Sequence, residues 1–440
     1  MISPADIAAI APNRRFRRFG RIESVRGLSV ISRGPEAAIG ELLWLVDGGR
    51  RLMALEVSGF LAQGRLLLTP YGELDGIRQG MMLVSSGGRL KVPIGRGLLG
   101  RAIDGVGKPI DGRPALLSRQ VEIGREVIHP LDRKPISEPL WTGIRAIDGL
   151  LTLGRGQRVG IFSGAGVGKT TLLRQMLAGS TADVAVVGLI GERGREISEF
   201  YHELEEEALK KTVIVAATSD SPAIQRLRAM DTTFRIAEVF RSQGLDVMLV
   251  VDSLTRVALA QSEVGLESGE IASVRGYTAS VFHMLPRILE RAGRVGGGTI
   301  TGLFTVLLDS DDPADPIGDA VRGILDGNLY LSRSLAERDH FPAIDVLKSL
   351  SRVMPDIVDL THQRLASRAR RVLARLDQNA DLVALGAYHP GTDAVLDAAL
   401  RVQPHLNAWL QQGEREFTDA EALLQSLQYL LDSEEGLRNL

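Results

Sequence analysis

The chain contains no cysteine among its 440 residues. Disulfide bonds and thiolate metal sites are therefore excluded, and the composition is compatible with a reducing compartment without proving one. Neither sign of charge is in excess, since 52 Lys and Arg stand against 54 Asp and Glu, so no global field favours nucleic acid. Runs of 18 or more apolar residues are missing, which excludes a helix that crosses a membrane.

In other respects the composition is that of an ordinary folded protein. Hydrophobic residues make up 44 % and charged residues 24 % of the chain, as is typical of globular proteins. A length of 440 residues exceeds what one hydrophobic core supports, so two or three domains are expected.

The N-terminus places an apolar stretch before a basic one. Three isoleucines, the last at Ile10, precede four arginines between Arg14 and Arg18. A secretory signal has its charges before its apolar run, so this order argues against one. Two hypotheses stay open: a frayed terminus, or a short basic arm that docks on a partner or on acidic lipid.

Three domains are predicted from the way the pattern changes along the chain. Glycine-rich turns divide residues from about 19 to 95 into short apolar runs, which is typical of a small β-barrel or sandwich. With the N-terminal arm, the predicted barrel domain is 1–95. Its last strand should end near Val92 and Pro93. Residues 96–150 show little periodicity and are interpreted as an irregular lead into an α/β domain at 96–352. Helical spacing then predicts a C-terminal helical domain at 353–440.

The α/β interpretation rests on continuous apolar runs that alternate with helical segments. Such runs suit strands buried on both faces of a parallel sheet. A helix is expected to begin at Ser221 and Pro222, with serine as its N-cap. C-terminal helices are expected at 361–376 and 420–431. The predicted strands are 159–162, 184–190, 213–217, 247–251 and 299–308.

The strongest chemical signal is a glycine-rich loop between a predicted strand and a predicted helix. In a phosphate loop of this kind, backbone N–H groups and the helix N-terminus bind phosphate oxygens. Lys169 would reach the β- and γ-phosphates, and the Thr170 hydroxyl would bind Mg²⁺. Ser163 replaces the usual first glycine, and a small residue still fits. The alternative is a glycine-rich turn with a chance Lys-Thr. The predicted nucleotide-binding residues are Gly164, Ala165, Gly166, Val167, Gly168, Lys169, Thr170 and Thr171.

Carboxylates end two other predicted strands. Asp252 follows the run 247–251, and Glu192 follows the run 184–190. Carboxyl ends of parallel strands line the crevice where ligands bind. Asp252 is expected to hold Mg²⁺, directly or through water, the alternative being a helix N-cap. Glu192 would orient and polarise the attacking water and Arg193 would neutralise phosphate charge, the alternative being a surface salt-bridge pair.

Several segments together resemble one family, the catalytic ATPases of type III secretion systems in flagella or injectisomes. These are related to the catalytic subunit of rotary ATP synthases. The resemblance covers nearly the whole chain and is weakest over the first 20 residues. The matching segments are 164–170, Gly-Glu-Arg-Gly-Arg-Glu at 191–196, Asp-Ser-Leu-Thr-Arg at 252–256, Pro-Ala-Ile-Asp at 342–345, Ser-Leu-Ser-Arg at 349–352, and Leu-Gly-Ala-Tyr at 385–388 followed by Gly391, Asp393 and Asp397.

The resemblance implies a RecA-like P-loop nucleotide domain flanked by an N-terminal β-barrel and a C-terminal helical domain. It also implies a homohexameric ring with ATP at each interface, and ATP and Mg²⁺ as cofactors. Arg352 would be the arginine that reaches into a neighbour's site, the alternative being an intrachain salt bridge. The implied roles of the others are phosphate and metal binding for Lys169 and Thr170, catalysis for Glu192, nucleotide contact for Arg193 and metal association for Asp252.

The same resemblance implies a cellular role. ATP hydrolysis would energise protein export, with chaperone release and substrate unfolding, at the cytoplasmic face of the cytoplasmic membrane. The implied partners are stator or regulator proteins, central-stalk proteins, export chaperones and their substrates, with peripheral membrane association and no nucleic acid.

Three departures from the family pattern qualify these expectations. The prolines usual after Gly269 and Glu270 are absent, so that loop is expected to be less rigid. The aromatic residue that packs on adenine in rotary relatives is expected near His362 and Gln363, where none stands, so the adenine pocket is left unassigned. A Gly-Ala-Tyr run at 386–388 replaces an acidic rotor-contacting segment, which favours export over proton-driven synthesis.

Two other functions stay open at this stage. One is a ring-shaped nucleic-acid translocase of the transcription-terminator type, which shares the Asp-Ser-x-Thr-Arg segment. Balanced charge and the lack of an aromatic and basic platform in the N-terminal domain argue against it. The other is a non-catalytic nucleotide-binding subunit of a rotary ATPase, against which the presence of Glu192 argues.

Overall fold

The computed structural model describes residues 18–115, 118–124, 128–308 and 315–437. Nearly all of the predicted N-terminal arm therefore lies outside the described residues. Arg18, its last residue, donates from Nη1 to the carbonyl oxygen of Glu36 at 2.8 Å. Within the described ranges, no helix combines the length and apolar character needed to span a bilayer.

The first unit is a closed six-stranded antiparallel barrel, with strand order β1-β2-β5-β4-β3-β6. Alternate residues such as Leu43, Leu45, Leu55 and Val57 fill its interior and are at most 1 % exposed, as the two-residue period of a strand requires. The predicted N-terminal barrel is thus confirmed. Its strands are β1 (Phe19–Arg26), β2 (Ser29–Arg33), β3 (Leu42–Asp47), β4 (Arg50–Leu61), β5 (Arg65–Pro70) and β6 (Met82–Ser85).

The end of the barrel differs from the prediction. The last barrel strand is β6, which pairs with both β1 and β3, and not a strand ending near Val92 and Pro93. Those two residues lie in β7 (Lys91–Ile94), which pairs outside the barrel with β9 (Arg119–Glu122). Apolar alternation marks a strand without naming its partner, so the sequence could not separate the two cases.

The segment 96–150 is more regular than predicted. It contains β8 (Arg101–Asp104), which joins the central sheet as an edge strand, and helix α1 (Arg145–Leu150). Strand β10 (Pro139–Leu140) pairs with β11 (Leu153–Gly154) just beyond it. Strands and helices this short give too few residues for a periodic signal.

A nine-stranded, mostly parallel sheet forms the centre of the molecule, in the order β19-β18-β12-β17-β15-β13-β14-β8, with β16 paired to β17. The five predicted strands correspond to β12, β13, β14, β15 and β17. Every residue of β13 is buried, as expected for a strand covered on both faces. The remaining strands are β12 (Arg158–Ser163), β13 (Val184–Glu192), β14 (Thr212–Thr218), β15 (Asp246–Asp252), β16 (Gly293–Val295), β17 (Gly298–Leu307), β18 (Gly327–Tyr330) and β19 (Leu350–Ser351).

Helices cover both faces of this sheet and form the C-terminal region. One expectation was displaced by a residue: Ser221 was predicted as the N-cap and Pro222 as the first helical residue, whereas Pro222 is the N-cap and the helix starts at Ala223. The helices after α1 are α2 (Lys169–Gly179), α3 (Gly194–Glu203), α4 (Glu206–Lys210), α5 (Ala223–Ser242), α6 (Leu254–Glu267), α7 (Ala279–Leu289), α8 (Pro316–Arg322), α9 (Arg333–Ala336), α10 (Met354–Ile357), α11 (Leu360–Gln378), α12 (Ala380–Ala384), α13 (Ala394–Leu410) and α14 (Ala420–Asp432).

Two large cores hold these layers together. On one face of the sheet, helices α5, α6 and α7 bury residues such as Phe234 and Leu285. On the other face, α1 and α2 share a continuous core with the C-terminal helices, which includes Leu406 and Leu427. The helical C-terminal region is confirmed, while the exact domain boundaries after 95 and after 352 stay predictions.

Candidate functional site

The predicted phosphate loop connects the end of β12 to the start of α2. Gly166 and Gly168 have φ values of +76° and +85°, a left-handed conformation that glycine adopts without strain. Gly168 is the N-cap, so α2 begins at Lys169. The N–H groups of the first helical turn are thereby left free for an anion at the loop.

Lys169 lies between two carboxylates at the mouth of this loop. Its Nζ forms an ion pair with Oδ1 of Asp252 and lies 3.7 Å from Oε1 of Glu192. The lysine side chain is 13 % exposed. Three residues predicted from separate segments are therefore brought together. The reason is that β13 and β15 end, and α2 begins, at the same edge of the sheet.

Asp252 closes β15 and is held on both sides. Its Oδ1 accepts a hydrogen bond from Oγ1 of Thr305 at 2.6 Å, in the neighbouring strand β17. The helix that follows is capped by Ser253, whose side chain accepts from the N–H of Arg256 at 3.3 Å. The alternative that Asp252 is itself the N-cap is therefore excluded.

Glu192 closes β13, the strand next to β15. Leu189 of β13 pairs with Asp252 of β15. On the other side of β13, the register with β14 shifts between Ile190 and Glu192, where Gly191 has a φ of +75°. Glu192 is 8 % exposed, and its Oε1 has no hydrogen-bond partner among the described residues.

The pKa of Glu192 is raised to about 7. Burial is the main cause, because a buried carboxylate loses its hydration. The charge of Asp252 and the side chain of Glu196 raise the pKa further, while the ammonium of Lys169 opposes them. A carboxyl group with this pKa can accept a proton near neutral pH.

A metal ion could be held between the phosphate loop and β15. Thr170 is the second residue of α2, and the carboxylate of Asp252 supplies the oxygen donor that Mg²⁺ prefers. No cluster of three His, Cys, Asp or Glu side chains that could bind a metal occurs in the described part of the chain. The donor set fits an ion completed by phosphate oxygens and water, as in other P-loop sites.

Arg193 is not brought to this cluster. It is the N-cap residue of α3, its side chain is 79 % exposed, and its Nε lies 3.8 Å from Oε1 of Glu196. This contact is a surface ion pair with Glu196, whereas Glu192 is buried. A role at the nucleotide stays a prediction.

Arg352 lies at the opposite end of the sheet from the phosphate loop. Its N–H donates to the carbonyl of Asp326 at 3.0 Å, just before β18 begins, whereas Tyr330 at the far end of β18 pairs with Phe162 beside the loop. Four residues of strand span about 13 Å. The exposed Arg352 side chain is therefore separated from the phosphate loop of its own chain.

Two side chains at the site were not singled out from the sequence. Arg256, which the motif 252–256 contains, lies against Gly191, and its Nε is buried without a hydrogen-bond partner among the described residues. Phe341 lies over the phosphate loop: a Cβ built on Gly168 would be 3.2 Å from its Cε1. Phe341 directly precedes the quoted motif at 342–345, which is the only sequence signal that could have indicated it.

The place where an adenine-packing aromatic was expected has another role. His362 is 2 % exposed, and its Nε2 lies 2.9 Å from the carbonyl oxygen of Gly149. This histidine packs the helical region onto α1. Phe341, with 38 % of its surface exposed, is the aromatic ring beside the loop instead.

Comparison with known proteins agrees with this architecture. The nucleotide-binding domain of the ATP synthase alpha/beta family matches residues 143–351, and the C-terminal domain of the type III secretion ATPase EscN matches residues 358–429. The flagellum-specific ATP synthase of Bacillus subtilis is 45 % identical over 415 residues, 93 % of either chain. The type 3 secretion system ATPase of Xanthomonas euvesicatoria is 44 % identical over 419 residues, 94 % of this chain and 95 % of that one.

A solved structure gives the same result. The assembled ATPase EscN of the enteropathogenic E. coli type III secretion system matches with a TM-score of 0.88 at 41 % identity, covering 93 % of this chain and 99 % of that chain. Fold and site together define a P-loop ATPase of the ATP-synthase type. Within that class, the chain belongs to the family of type III secretion and flagellar export ATPases. The match of the C-terminal domain favours this family over the transcription-terminator and rotary alternatives.

Proposed function

We propose that the chain hydrolyses Mg-ATP at the phosphate loop and uses the energy to drive protein export. The observation that carries the site is the convergence of Lys169, Glu192 and Asp252 at one edge of the sheet. Each comes from a different element, and two of the three, Glu192 and Asp252, are buried, which is costly for a carboxylate without a compensating partner.

Each residue has a distinct task in this proposal. Lys169 exchanges its carboxylate partners for the β- and γ-phosphates when nucleotide binds. Thr170 and Asp252 hold Mg²⁺, which neutralises phosphate charge. Glu192 orients a water molecule in line with the γ-phosphate and takes its proton as the water oxygen bonds to the γ-phosphorus. The bond from that phosphorus to the β–γ bridging oxygen breaks, so ADP and phosphate are released. The pKa of Glu192 near 7 suits it for this role.

The two residues found beside the loop complete the pocket. Arg256 places an unpartnered Nε next to Gly191, where it can bind an oxygen of the γ-phosphate or of released phosphate. Phe341 offers an exposed ring beside Gly168, and such a ring can stack on a purine base.

Arg352 acts on a neighbouring subunit. It is separated from its own phosphate loop by the length of β18, so a role in catalysis requires a ring in which each subunit lends this arginine to the next. Support comes from EscN, which has been solved in an assembled form and in complex with its central stalk EscO. We accordingly propose a homohexamer with a central-stalk partner.

The export role rests on the relatives. The matches include flagellum-specific ATP synthases and type 3 secretion system ATPases at 44–46 % identity. Chaperone release and substrate unfolding at the inner face of the cytoplasmic membrane, together with binding to a stator or regulator protein, are the finer parts of the proposal.

Two substitutions test the site. Lys169→Ala should abolish nucleotide binding, whereas Glu192→Gln should retain it and lower kcat by about 10² or more, since only the proton acceptor is lost. Phosphate release and binding of a fluorescent ATP analogue, each with and without Mg²⁺, measure both effects. Full turnover by Lys169→Ala would refute the proposed site.

A further inference from the structure

The joining segment, residues 409–418, comprises the last two residues of α13 and the chain that leads on to α14. One arginine attaches it to the nucleotide domain. Arg145, the first residue of α1, donates from Nε to the carbonyl of Trp409 at 2.7 Å and from Nη2 to the carbonyl of Gln411 at 2.5 Å. Its Nη1 forms an ion pair with Glu416. Three groups of the joining segment therefore meet a single guanidinium, whose side chain is only 12 % exposed.

Gln412 connects the joining segment to the nucleotide pocket. Its side chain accepts from the N–H of Arg145 at 2.8 Å and donates to the carbonyl of Gly143 at 2.6 Å. Its own N–H donates to the carbonyl of Phe341 at 2.8 Å. Phe341 is the residue whose ring lies over Gly168.

The phosphate-loop helix holds the same segment from the other side. Gln175 of α2 donates from Nε2 to the carbonyl of Gly413 at 2.9 Å. The joining segment is thus fixed between the helix that starts at the phosphate loop and the ring that lies beside that loop.

We propose that Arg145 is a positioning residue for the base of the nucleotide: by fixing residues 409–418, it holds Phe341 over the phosphate loop and couples the helical C-terminal region to base binding. This inference rests on the proposed function, since it takes Phe341 to be the base-stacking residue. Arg145 does not touch the phosphates, which bind to the loop and to Lys169.

An arginine suits this task for a geometrical reason. Its planar guanidinium presents five donors in a fixed fork, whereas a lysine ammonium is a point charge that cannot reach the same three acceptors together. The guanidinium also lowers the pKa of the Glu416 carboxyl group, so the ion pair persists across the neutral range.

The test compares ATP with inorganic tripolyphosphate, which has phosphates and no base. Arg145→Ala should raise KM for ATP about tenfold, the equivalent of one charge-assisted hydrogen bond, and leave kcat and the inhibition constant of Mg-tripolyphosphate nearly unchanged. Arg145→Lys should restore only part of the loss. Gln412→Ala, which removes the hydrogen bonds of the Gln412 side chain, should show the same selective rise in KM for ATP. This variant provides the test if Arg145→Ala does not fold.

Arg401→Gln is the matched control, because it removes an arginine from an ion pair with Glu434 in the same helical region and should change neither constant. If the Arg145 and Gln412 variants weakened ATP and tripolyphosphate equally, the positioning role would be wrong while the phosphate site stood. If tripolyphosphate did not compete with ATP in the wild-type protein, the proposed phosphate site would fail, and the inference with it.

Discussion

At the residue scale, the chemistry of Glu192 depends on its surroundings. A glutamate in water has a pKa near 4.3, yet burial at the end of β13 raises the pKa of Glu192 to about 7. The residue type therefore supplies the carboxyl group, and its location gives that group a pKa that suits the base we propose.

The pH dependence of hydrolysis should report this shift. Glu192 acts as a base only when ionised, and the raised pKa means that it becomes protonated as the pH falls through about 7. We expect kcat/KM, which reports the free enzyme, to fall about tenfold per pH unit below that point. Steady-state phosphate release, followed over about three pH units between pH 5.5 and 8.5, measures this fall. The falling part of the profile is the acidic limb.

A pair of variants on α3 separates Glu192 from other titrating groups. Glu196 raises the pKa of Glu192 through its side chain, so Glu196→Gln should move the limb to lower pH. Glu199→Gln, which removes only the partner of the exposed Arg195, should not move it. If the limb kept its position in both variants, a group other than Glu192 would control it.

At the scale of elements, the direction of the strands decides what Arg352 can reach. Strand β18 runs parallel to β12, so its carboxyl end lies at the phosphate loop and its amino end lies beside Arg352. A change in the conformation of the Arg352 side chain alone does not alter this arrangement of the two strand ends. The role that we propose for Arg352 therefore lies at the site of a neighbouring subunit.

Mixing two inactive variants tests this. In rings assembled from equal amounts of Arg352→Ala and Glu192→Gln chains, about one site in four combines an intact glutamate with an intact arginine from the neighbour, by random assortment in a closed ring. Hydrolysis should therefore recover to a fraction of the wild-type rate, while each variant alone is slower by on the order of 10³ or 10². Phosphate release before and after subunit mixing is the measurement.

The control is a mixture of Lys169→Ala and Glu192→Gln chains, in which no site regains both residues because both belong to the same subunit. Recovery of hydrolysis in that mixture would show that the assay detects something other than a residue supplied by a neighbouring subunit. An Arg352 mixture that stayed inactive would mean that the arginine acts within its own chain.

At the scale of the whole molecule, a buried ionic network joins the barrel to the nucleotide domain. Glu56 of β4 accepts from Nε of Arg228 at 2.8 Å and from the hydroxyl of Tyr71 at 2.7 Å. Arg228 also meets Asp231 at 2.5 Å, and Asp231 accepts from Arg291 at 3.1 Å. Burial and the neighbouring Glu56 carboxylate raise the pKa of Tyr71 well above its usual value, so the hydroxyl stays a donor.

Breaking this network should loosen the barrel. Arg228→Ala leaves Glu56 buried without its cation, and the loss is expected to be about 3 kcal/mol of unfolding free energy. Calorimetry should show a lower Tm, and limited proteolysis should cut first between the barrel and the central sheet. Arg195→Ala, whose ion pair is exposed, should leave the Tm nearly unchanged. Equal stability of both variants would mean that the network contributes nothing to domain attachment.

The parts of this protein that the sequence determined by itself are those with a local signal. The phosphate loop, the strands around it and the position of Glu192 and Asp252 at strand ends were all readable, because apolar runs and glycine spacing act over a few neighbouring residues. The barrel and the helical C-terminal region were readable for the same reason.

Tertiary structure alone decided which distant residues meet. The pairing of β13 with β15 brings Glu192 to Lys169 and Asp252, the addition of β8 extends the sheet, and the docking of residues 409–418 holds Phe341 in place. Such contacts depend on strand order and on packing between segments far apart in the chain. No local pattern encodes them, since each is selected by the burial and hydrogen bonding of the complete fold.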